Sequence, residues 1–344
     1  MEHTEAGEGR TKTRVKHDED RRMKIALIDV DGHNFPSLPL MKISAYHKQR
    51  GDIVAWYDPL TAWKNPPDRV YMSKVFTFTP DYPHPVNAGE VIKGGTGYSY
   101  PDGKPDLPDE IEHIFPDYHL YRKQVFVPEE KTGDEETGRY ETVDMYPDTA
   151  YGFLTRGCPR GCDFCIVKSK EGRLSHKVAD LSEFWNGQKN IVLLDPNFFA
   201  CKDWKDLSRQ LIDSNAWVDF SQGCDIRIMT KEKIGYLQEM KIKQIHFAWD
   251  QYEDKEIIVP KFEEFKRLTD WDYRKMGVYI LTNFNTTIEQ DLERIYILRD
   301  LGFSPYVMIF NKQEVPKGHI LRRMQRWANS RVAFNAVKDF KNFK

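Results

Sequence analysis

Residues 149–165 read TAYGFLTRGCPRGCDFC, which is a short apolar strand followed by three closely spaced cysteines. Cys158, Cys162 and Cys165 have the spacing C-x3-C-x2-C, and three thiolates this close together can bind three irons of one cluster. The two glycines between the strand and the second cysteine let the backbone turn tightly around a bulky group. The stretch predicts a metal-binding loop after a strand, here called the cysteine loop (residues 157–165).

The chain from Thr149 onward repeats a strand–helix pattern. Six short apolar segments alternate with amphipathic segments of helix length, which indicates a parallel sheet covered by helices, open or partly closed into a barrel. The predicted strands are Tyr151–Leu154, Ile191–Leu194, Val218–Ser221, Gln244–Ala248, Val278–Leu281 and Tyr306–Ile309. The predicted helices are 179–186, 203–214, 230–239, 260–269, 287–301 and 320–341.

Polar residues follow each of these strands, at the positions that we call strand exits. Parallel sheets bind ligands at the carboxyl ends of their strands, so the exits should converge on one site. After the first exit, which is the cysteine loop, they are Asp195-Pro196-Asn197, Gln222–Asp225 with Arg227, Trp249-Asp250, Thr282–Asn285 and Asn311-Lys312. Strand exits are also polar where they only meet water, so each residue is a candidate and no more.

The N-terminal half predicts a smaller α/β unit. Apolar runs at Lys24–Val30 and Ile53–Trp56 flank a helix-like period from Pro36 to Gly51, which favours a parallel pair. Further strands are expected at Val70–Phe78 and Val91-Ile92. The fold class is therefore α/β, with a small doubly wound N-terminal domain followed by a partial (β/α)6 barrel.

Changes in composition mark the expected boundaries. They are a disordered tail at 1–22, the Rossmann-like α/β domain at 23–127, a charged linker or exposed hairpin at 128–148, the partial barrel at 149–315 and a basic helical segment at 316–344. Met23 opens the first apolar strand and is an alternative start of the protein.

The overall composition excludes some function classes. Charged residues make up 30% of the 344 residues and the net charge is -2, which argues against a general electrostatic affinity for nucleic acid or anionic membrane. No apolar run approaches the roughly 20 residues of a membrane helix, and no secretory core is visible near the N-terminus. We expect a cytoplasmic protein with no membrane partner.

Zinc is the main alternative to an iron cluster as the metal bound by the cysteine loop. Structural zinc sites use four ligands and paired C-x2-C spacing, and His176 is the only nearby fourth candidate. Five cysteines in a chain without a signal peptide are a poor disulfide framework. We interpret Cys201 and Cys224 as buried spare thiols, with hydrogen donation or additional cluster ligation as alternatives.

Over residues 145 to 315, the sequence resembles the radical S-adenosylmethionine superfamily. The resemblance implies a [4Fe–4S] cluster on Cys158, Cys162 and Cys165 whose open iron binds the amino and carboxylate groups of S-adenosylmethionine. One electron, from a partner such as flavodoxin or ferredoxin, would cleave the sulfonium, and the 5′-deoxyadenosyl radical would abstract hydrogen from a substrate that the sequence does not reveal. Phe164 matches the aromatic residue that packs near the adenine in the family.

The resemblance is incomplete at the other strand exits. Asp195-Pro196-Asn197 stands where the family often has Gly-Gly-Glu. Asp195 or Asn197 is therefore expected to accept a hydrogen bond from the methionine amino group. Arg227 could pair with the methionine carboxylate, since a guanidinium matches a carboxylate geometrically, or make a surface salt bridge. Asn283 at the fifth exit is a further candidate contact of the cofactor.

The N-terminal unit is similar to the cobalamin-binding domains that precede some radical barrels. Asp31 and His33 match the start of the D-x-H-x-x-G cobalt-ligand motif, and Gly94 and Gly95 lie where such domains have a glycine pair. Pro36 departs from this motif. We expect a cobalt-free domain, with bound cobalamin as the alternative.

Two other functions remain as alternatives. A non-catalytic metal-binding or redox-sensing protein would use the same three cysteines without cleaving S-adenosylmethionine. A radical enzyme that modifies tRNA or another RNA would find cations in the basic C-terminal segment, although a solvated helix face is the favoured interpretation of that segment.

Overall fold

The computed structural model describes residues 22–101, 103, 107–132 and 135–344. The tail predicted at 1–22 therefore lies outside the described residues, except for Arg22. None of the described helices is long and apolar enough to cross a membrane.

The N-terminal unit is a parallel sheet of four strands. Its elements are β1 (Lys24–Asp29), α1 (Leu38–Gln49), β2 (Ile53–Trp56), α2 (Pro59–Lys64), β3 (Arg69–Ser73), β4 (Glu90–Gly94), α3 (Thr96–Ser99) and α4 (Asp109–Glu112). The strand order is β2-β1-β3-β4. The chain therefore passes β1 on its way from the edge strand β2 to β3. The parallel strand–helix–strand prediction is confirmed.

Alternate residues of β1 face opposite sides of this sheet, as the two-residue period of a strand requires. Ile25 and Leu27 pack with α1, whereas Ala26 and Ile28 pack on the opposite face. The second face is covered mainly by the non-helical residues 74–89. The parallel α/β sheet is thus confirmed, whereas an extended layer covers the face on which the doubly wound prediction expects further helices.

The third predicted strand, Val70–Phe78, is too long at its C-terminal end. The strand stops at Ser73 because Asp31 draws the following segment into a turn. The Asp31 carboxylate accepts hydrogen bonds from the Val75 amide (2.5 Å) and the Thr79 hydroxyl (2.6 Å). A side chain distant in sequence therefore ends this strand.

The carboxyl of Asp29, at the end of β1, should make stability depend on pH. It accepts a hydrogen bond from the Tyr121 hydroxyl (2.6 Å), and burial raises its pKa from 3.8 to about 6. The folded state thus holds this proton more tightly than the unfolded chain. The resulting stabilisation is present below about pH 4 and is lost as the pH rises to about 6.

We therefore expect Asp29→Asn, which keeps an oxygen for Tyr121, to gain stability over wild type as the pH rises through this window. Urea unfolding of both proteins between about pH 4 and about pH 7 measures the difference. A difference that stays constant over this range would contradict the prediction.

The charged region predicted as a hairpin or a linker forms a hairpin. Strands β5 (Arg122–Thr132) and β6 (Glu135–Asp144) pair antiparallel, beginning at Arg122 opposite Asp144. This ribbon joins the N-terminal sheet to the second sheet.

The second sheet has six parallel strands in the order β14-β13-β12-β11-β10-β7. From here the elements are β7 (Thr149–Gly152), β8 (Thr155–Arg156), α5 (Val167–Lys170), β9 (His176–Lys177), β10 (Asn190–Leu193), α6 (Trp204–Ser214), β11 (Trp217–Cys224), α7 (Lys231–Glu239), β12 (Ile242–Ala248), α8 (Lys255–Thr269), β13 (Met276–Thr282), α9 (Ile288–Asp300), β14 (Ser304–Ile309), α10 (Ile320–Asn329) and α11 (Arg331–Ala336). All six predicted strands are confirmed, and β7 and β14 form the sheet edges.

Two predicted helices are wrong. The segment 179–186 contains a single 3-10 turn, Leu181–Glu183, because a reciprocal cap between Asp180 and Glu183 closes one turn and Gly187 (φ +88°) then redirects the chain. The helix predicted over 320–341 is broken at Ser330, whose hydroxyl accepts the Ala333 amide and starts a new helix there.

The main hydrophobic core lies between the second sheet and its helices. Val218, Phe247 and Val278 point from the strands to Phe262 of α8 and Leu298 of α9. The alternate strand residues point to the other face of the sheet, which carries polar and aromatic side chains. Packing against the helices therefore holds the strands in place, and with them the strand exits.

Candidate functional site

The cysteine loop is anchored through its backbone. The short strands β8 and β9 pair antiparallel and close the base of the segment that contains it. The Cys158 amide donates to the Gly172 carbonyl (3.2 Å), and the Cys165 amide donates to the Cys162 carbonyl (3.1 Å). The Gly157 amide donates to the Glu171 carboxylate (3.1 Å). These bonds hold the loop without using a thiol.

Gly157 requires a glycine for two reasons. Its φ of +81° lies in the left-handed region, which disfavours any side chain. A Cβ at this position would also lie 2.2 Å from the Leu174 carbonyl oxygen, which is backbone and cannot rotate away. The backbone of the β8–β9 segment therefore passes too close for any other residue.

The three cysteines of the loop are free and partly buried. Burial raises the pKa of Cys162 and of Cys165, and the Asp250 carboxylate and neighbouring thiols raise both pKa values further. A bound cation would oppose these effects and favour thiolates. Within the described ranges, no group of three or more His, Cys, Asp or Glu side chains is positioned to hold a metal ion.

His176, the fourth candidate for zinc, is exposed, and its Nδ1 lies 3.1 Å from the Leu174 carbonyl oxygen. The other two cysteines are buried, in agreement with their interpretation as spare thiols. Cys201 lies 3.8 Å from the Asp203 carboxylate, and burial strongly raises the pKa of Cys224.

Asp195 clamps the exits of β10 and β7 together. Its buried carboxylate accepts the Leu154 amide (3.2 Å), the Thr155 amide (2.5 Å) and the Thr155 hydroxyl (2.6 Å). Burial raises its pKa to about 6 despite these hydrogen bonds. Because both of its oxygens are engaged, Asp195 positions the chain just before the cysteine loop.

Asn197 has a different environment two residues further on. It is almost fully buried, and its Nδ2 donates to the Cys158 Sγ at 3.6 Å. Its Oδ1 is also buried and has no hydrogen-bond partner among the residues that the structure describes. A buried acceptor without a donor is costly, so this oxygen is suited to a ligand that donates a hydrogen bond.

A cluster of four charges, here called the charge cluster (Arg160, Asp225, Arg227 and Asp254), joins the cysteine loop to the exit of β11 and to the turn that follows β12. Arg227 donates from Nε to Asp225 (2.6 Å) and also pairs with Asp254. Arg160, between the first two cysteines, lies 3.6 Å from the Asp225 carboxylate and 3.8 Å from the Asp254 carboxylate. Arg227 thus makes the salt bridges expected as the alternative to cofactor binding.

Aromatic contacts join the other end of the loop to the last two strand exits. The ring of Phe164 meets that of Phe284 edge to face, with centroids 5.3 Å apart, and Phe284 meets Phe310 at 5.0 Å. Asn283 adopts a left-handed backbone (φ 63°) and donates to the Phe310 carbonyl (2.9 Å). Phe164 and Asn283 therefore lie on the same side of the loop.

Sequence reasoning missed the buried pair Asp291 and Arg294 on α9. Arg294 donates to the carbonyls of Trp249 (2.6 Å) and Leu281 (2.9 Å) and to the Asp291 carboxylate (2.5 Å). Because it donates to carbonyls at both places, Arg294 holds the exits of β12 and β13 in position. A signal was present, because both residues fall on the buried helical stripe that continues to Leu298.

Two of the four cobalamin candidates line a cavity in the N-terminal unit. A cavity of about 480 Å³ in the N-terminal unit is lined by Gly94 and Gly95, but neither Asp31 nor His33 is among its lining residues. The His33 ring packs against Trp56, with centroids 4.3 Å apart. The hydrogen bonds of Asp31 go to residues 75–79. Among the described residues, Asp31 and His33 thus have these partners instead, and bound cobalamin stays an untested alternative.

Comparison with known proteins gives little further information. No protein-family model matches the sequence, and no curated protein matches it. Among solved structures, the chain resembles SuiB of Streptococcus suis bound to the precursor peptide SuiA, with a TM-score of 0.38, 10% identity and coverage of 56% of this chain and 46% of SuiB. SuiB bound to S-adenosylmethionine gives a TM-score of 0.37, 10% identity and coverage of 56% and 45%. The chain spans less than half of the length of SuiB.

Proposed function

We propose that this protein is a radical S-adenosylmethionine enzyme. The observation that carries the proposal is the cysteine loop, which follows the first strand of a six-stranded parallel β/α sheet and is tied to the other strand exits. Arg160 connects the loop to the exit of β11 and to the turn that follows β12, and Phe164 connects it to the exit of β13. Three thiols at the carboxyl edge of such a sheet suit a catalytic centre.

The three thiols do not gather around a single ion, but their chemistry suits a [4Fe–4S] cluster, in which each cysteine would bind a different iron. Cys158, Cys162 and Cys165 would hold three irons, and thiolates are the usual ligands of such clusters. The cluster would supply the electron that cleaves the sulfonium of S-adenosylmethionine. The side-chain amide of Asn197 lies next to Cys158, and its unpaired Oδ1 would accept a hydrogen bond from the amino group of the bound methionine moiety.

The remaining site residues position these groups. Asp195 fixes the chain entering the loop, and the charge cluster fixes the loop between the first two cysteines. The rings of Phe164 and Phe284 form an apolar wall that would exclude water on the side of Asn283. A flavodoxin or ferredoxin would be the electron donor in the cell.

Cluster reconstitution tests this function. We expect the anaerobically reconstituted protein to hold one [4Fe–4S] cluster per chain and to release 5′-deoxyadenosine from S-adenosylmethionine when dithionite is added. Cys162→Ser should lose both the iron and the product, whereas Cys201→Ser, which changes a buried thiol outside the loop, should keep both. Zinc in place of iron would overturn the proposal. Iron without 5′-deoxyadenosine would favour the metal-binding or redox-sensing alternative.

Asn197→Ala should weaken binding of S-adenosylmethionine by about 10- to 100-fold, because a hydrogen bond to a charged group is worth about 1.5–3 kcal/mol. Iron content should be unchanged, since the backbone of Cys158 is held by Gly172. Asn186→Ala, at an exposed asparagine, is the matched control. Equal affinities of both variants, measured by calorimetry, would remove Asn197 from the site.

A further inference from the structure

The face of the second sheet opposite its helices carries a cluster of aromatic and ionisable side chains. Strand alternation places Tyr151, Asp219, His246 and Tyr279 on this face, whereas their neighbours pack into the core. This face adjoins the edge that holds the cysteine loop. It is therefore the surface on which a substrate would lie beside the proposed catalytic centre.

Two of these rings are held in a fixed arrangement. His246 and Tyr279 stack with centroids 4.9 Å apart and an interplanar angle of 4°. The Tyr279 hydroxyl donates to the Ser221 carbonyl (2.6 Å), which anchors the outer end of the ring. A Cβ on Gly277 would lie 2.5 Å from the His246 ring, so a glycine leaves the room that this stack needs.

Asp219 stands beside this stack without a hydrogen-bonding partner for one of its oxygens. Among the residues that the structure includes, its buried Oδ1 accepts no hydrogen bond. The nearest cationic candidate is His246, whose Nδ1 is 3.9 Å away but lies 3.1 Å from the Phe220 carbonyl. Oδ1 itself is buried, but the side chain as a whole is 19% exposed, so a ligand can reach the carboxylate from its exposed part.

The surrounding charges compensate this carboxylate only in part. Burial lowers the pKa of His246, which keeps the imidazole neutral, and burial raises the pKa of Asp219. Lys243 lowers that pKa in part, but its ammonium is directed to Asn190 Oδ1 (3.5 Å). A partly buried carboxylate without a paired cation is unfavourable, so the site is suited to a cation from outside the chain.

We propose that Asp219, His246 and Tyr279 form a substrate subsite for an organic cation, namely a primary ammonium or a guanidinium group. The carboxylate pairs with the charge, and the ring faces of Tyr279 and Tyr151 contact its alkyl or aromatic stem. The subsite deepens the proposed radical function, on which it rests, by naming the chemical class of the substrate. The partly exposed carboxylate of Asp219, whose buried Oδ1 accepts no hydrogen bond among the described residues, and the fixed stack beside it carry the inference.

Two probes of the same shape test this proposal. Phenethylamine, a cation at neutral pH, and phenethyl alcohol, its neutral counterpart, are titrated into the reconstituted full-length protein, and binding is followed by saturation-transfer NMR. Wild type should prefer the amine by about tenfold. Asp219→Asn should abolish this preference. Asp270→Asn, which changes an exposed carboxylate at a left-handed position that suits asparagine, should retain it.

Each outcome decides the proposal. Equal binding of the two probes by wild type, or an amine preference that survives in Asp219→Asn, would overturn it. Asp219→Asn should unfold no more easily than wild type, because it removes an unpaired buried charge, so a folding defect does not confuse the result. Iron content and 5′-deoxyadenosine are measured on the same samples. Their absence would refute the radical function while the preference for the amine could still be read.

Discussion

Replacing Gly157 with alanine is expected to impair the cysteine loop more than any other conservative change near it. The new Cβ would lie 2.2 Å from the Leu174 carbonyl oxygen, so the two backbone segments must separate. Cys158 follows directly and would move with them. We expect iron retention after reconstitution to fall by about 10- to 100-fold, as for other residues that orient metal ligands.

Gly172 offers a matched control for this prediction. It lies in the same segment and has a similar left-handed backbone (φ +88°), but a Cβ there would meet nothing within 4 Å. Gly172→Ala should therefore show only the strain of a left-handed alanine, about 1–2 kcal/mol, and retain its iron. If both variants lose iron to the same extent, the close approach of Leu174 is not the reason for the glycine at 157.

The second large effect is expected at Arg294, which is fully buried. Arg294→Met would leave the Asp291 carboxylate as an uncompensated buried charge and would leave the carbonyls of Trp249 and Leu281 without their donor. Breaking a buried ion pair from one side costs about 3–5 kcal/mol. Urea unfolding of the full chain measures this loss directly.

A double variant separates the charge effect from loss of packing. Arg294→Met with Asp291→Asn has no unpaired charge, so it should be more stable than Arg294→Met alone. The exposed Arg274, which pairs with Asp272, is the control, and Arg274→Met should change stability by no more than about 0.5 kcal/mol. A double variant as unstable as the single one would show that the lost hydrogen bonds dominate.

Much of the second sheet could be predicted from sequence because its strands are buried and apolar. Short apolar runs between helix-length segments, such as Ile191–Leu194 and Val278–Leu281, are typical of buried parallel strands. The segment 179–186 misled the prediction because its helical pattern is real, while one reciprocal cap and Gly187 limit it to one turn. Local patterns do not reveal where a cap closes.

Sequence alone singles out the three cysteines of the candidate site, but it does not give the contacts that surround them. Asp195 and Asn197 are equivalent candidates in sequence, yet tertiary contacts satisfy the first and leave an oxygen of the second unpaired. Arg227 likewise finds partners in the segments that follow two different strands. Which polar group is left unpaired depends on chain segments distant in sequence, so only the folded arrangement distinguishes them.

The tethers of the cysteine loop have a consequence for how the protein matures. The loop is held by contacts that involve no sulfur. They are backbone hydrogen bonds, the hydrogen bond from the Gly157 amide to Glu171, the salt bridges of Arg160 and the ring contact of Phe164. In small zinc domains, by contrast, ion uptake and chain ordering are one event. Here the chain itself holds the loop, so under the function proposed above iron and sulfide would enter a polypeptide that is already arranged.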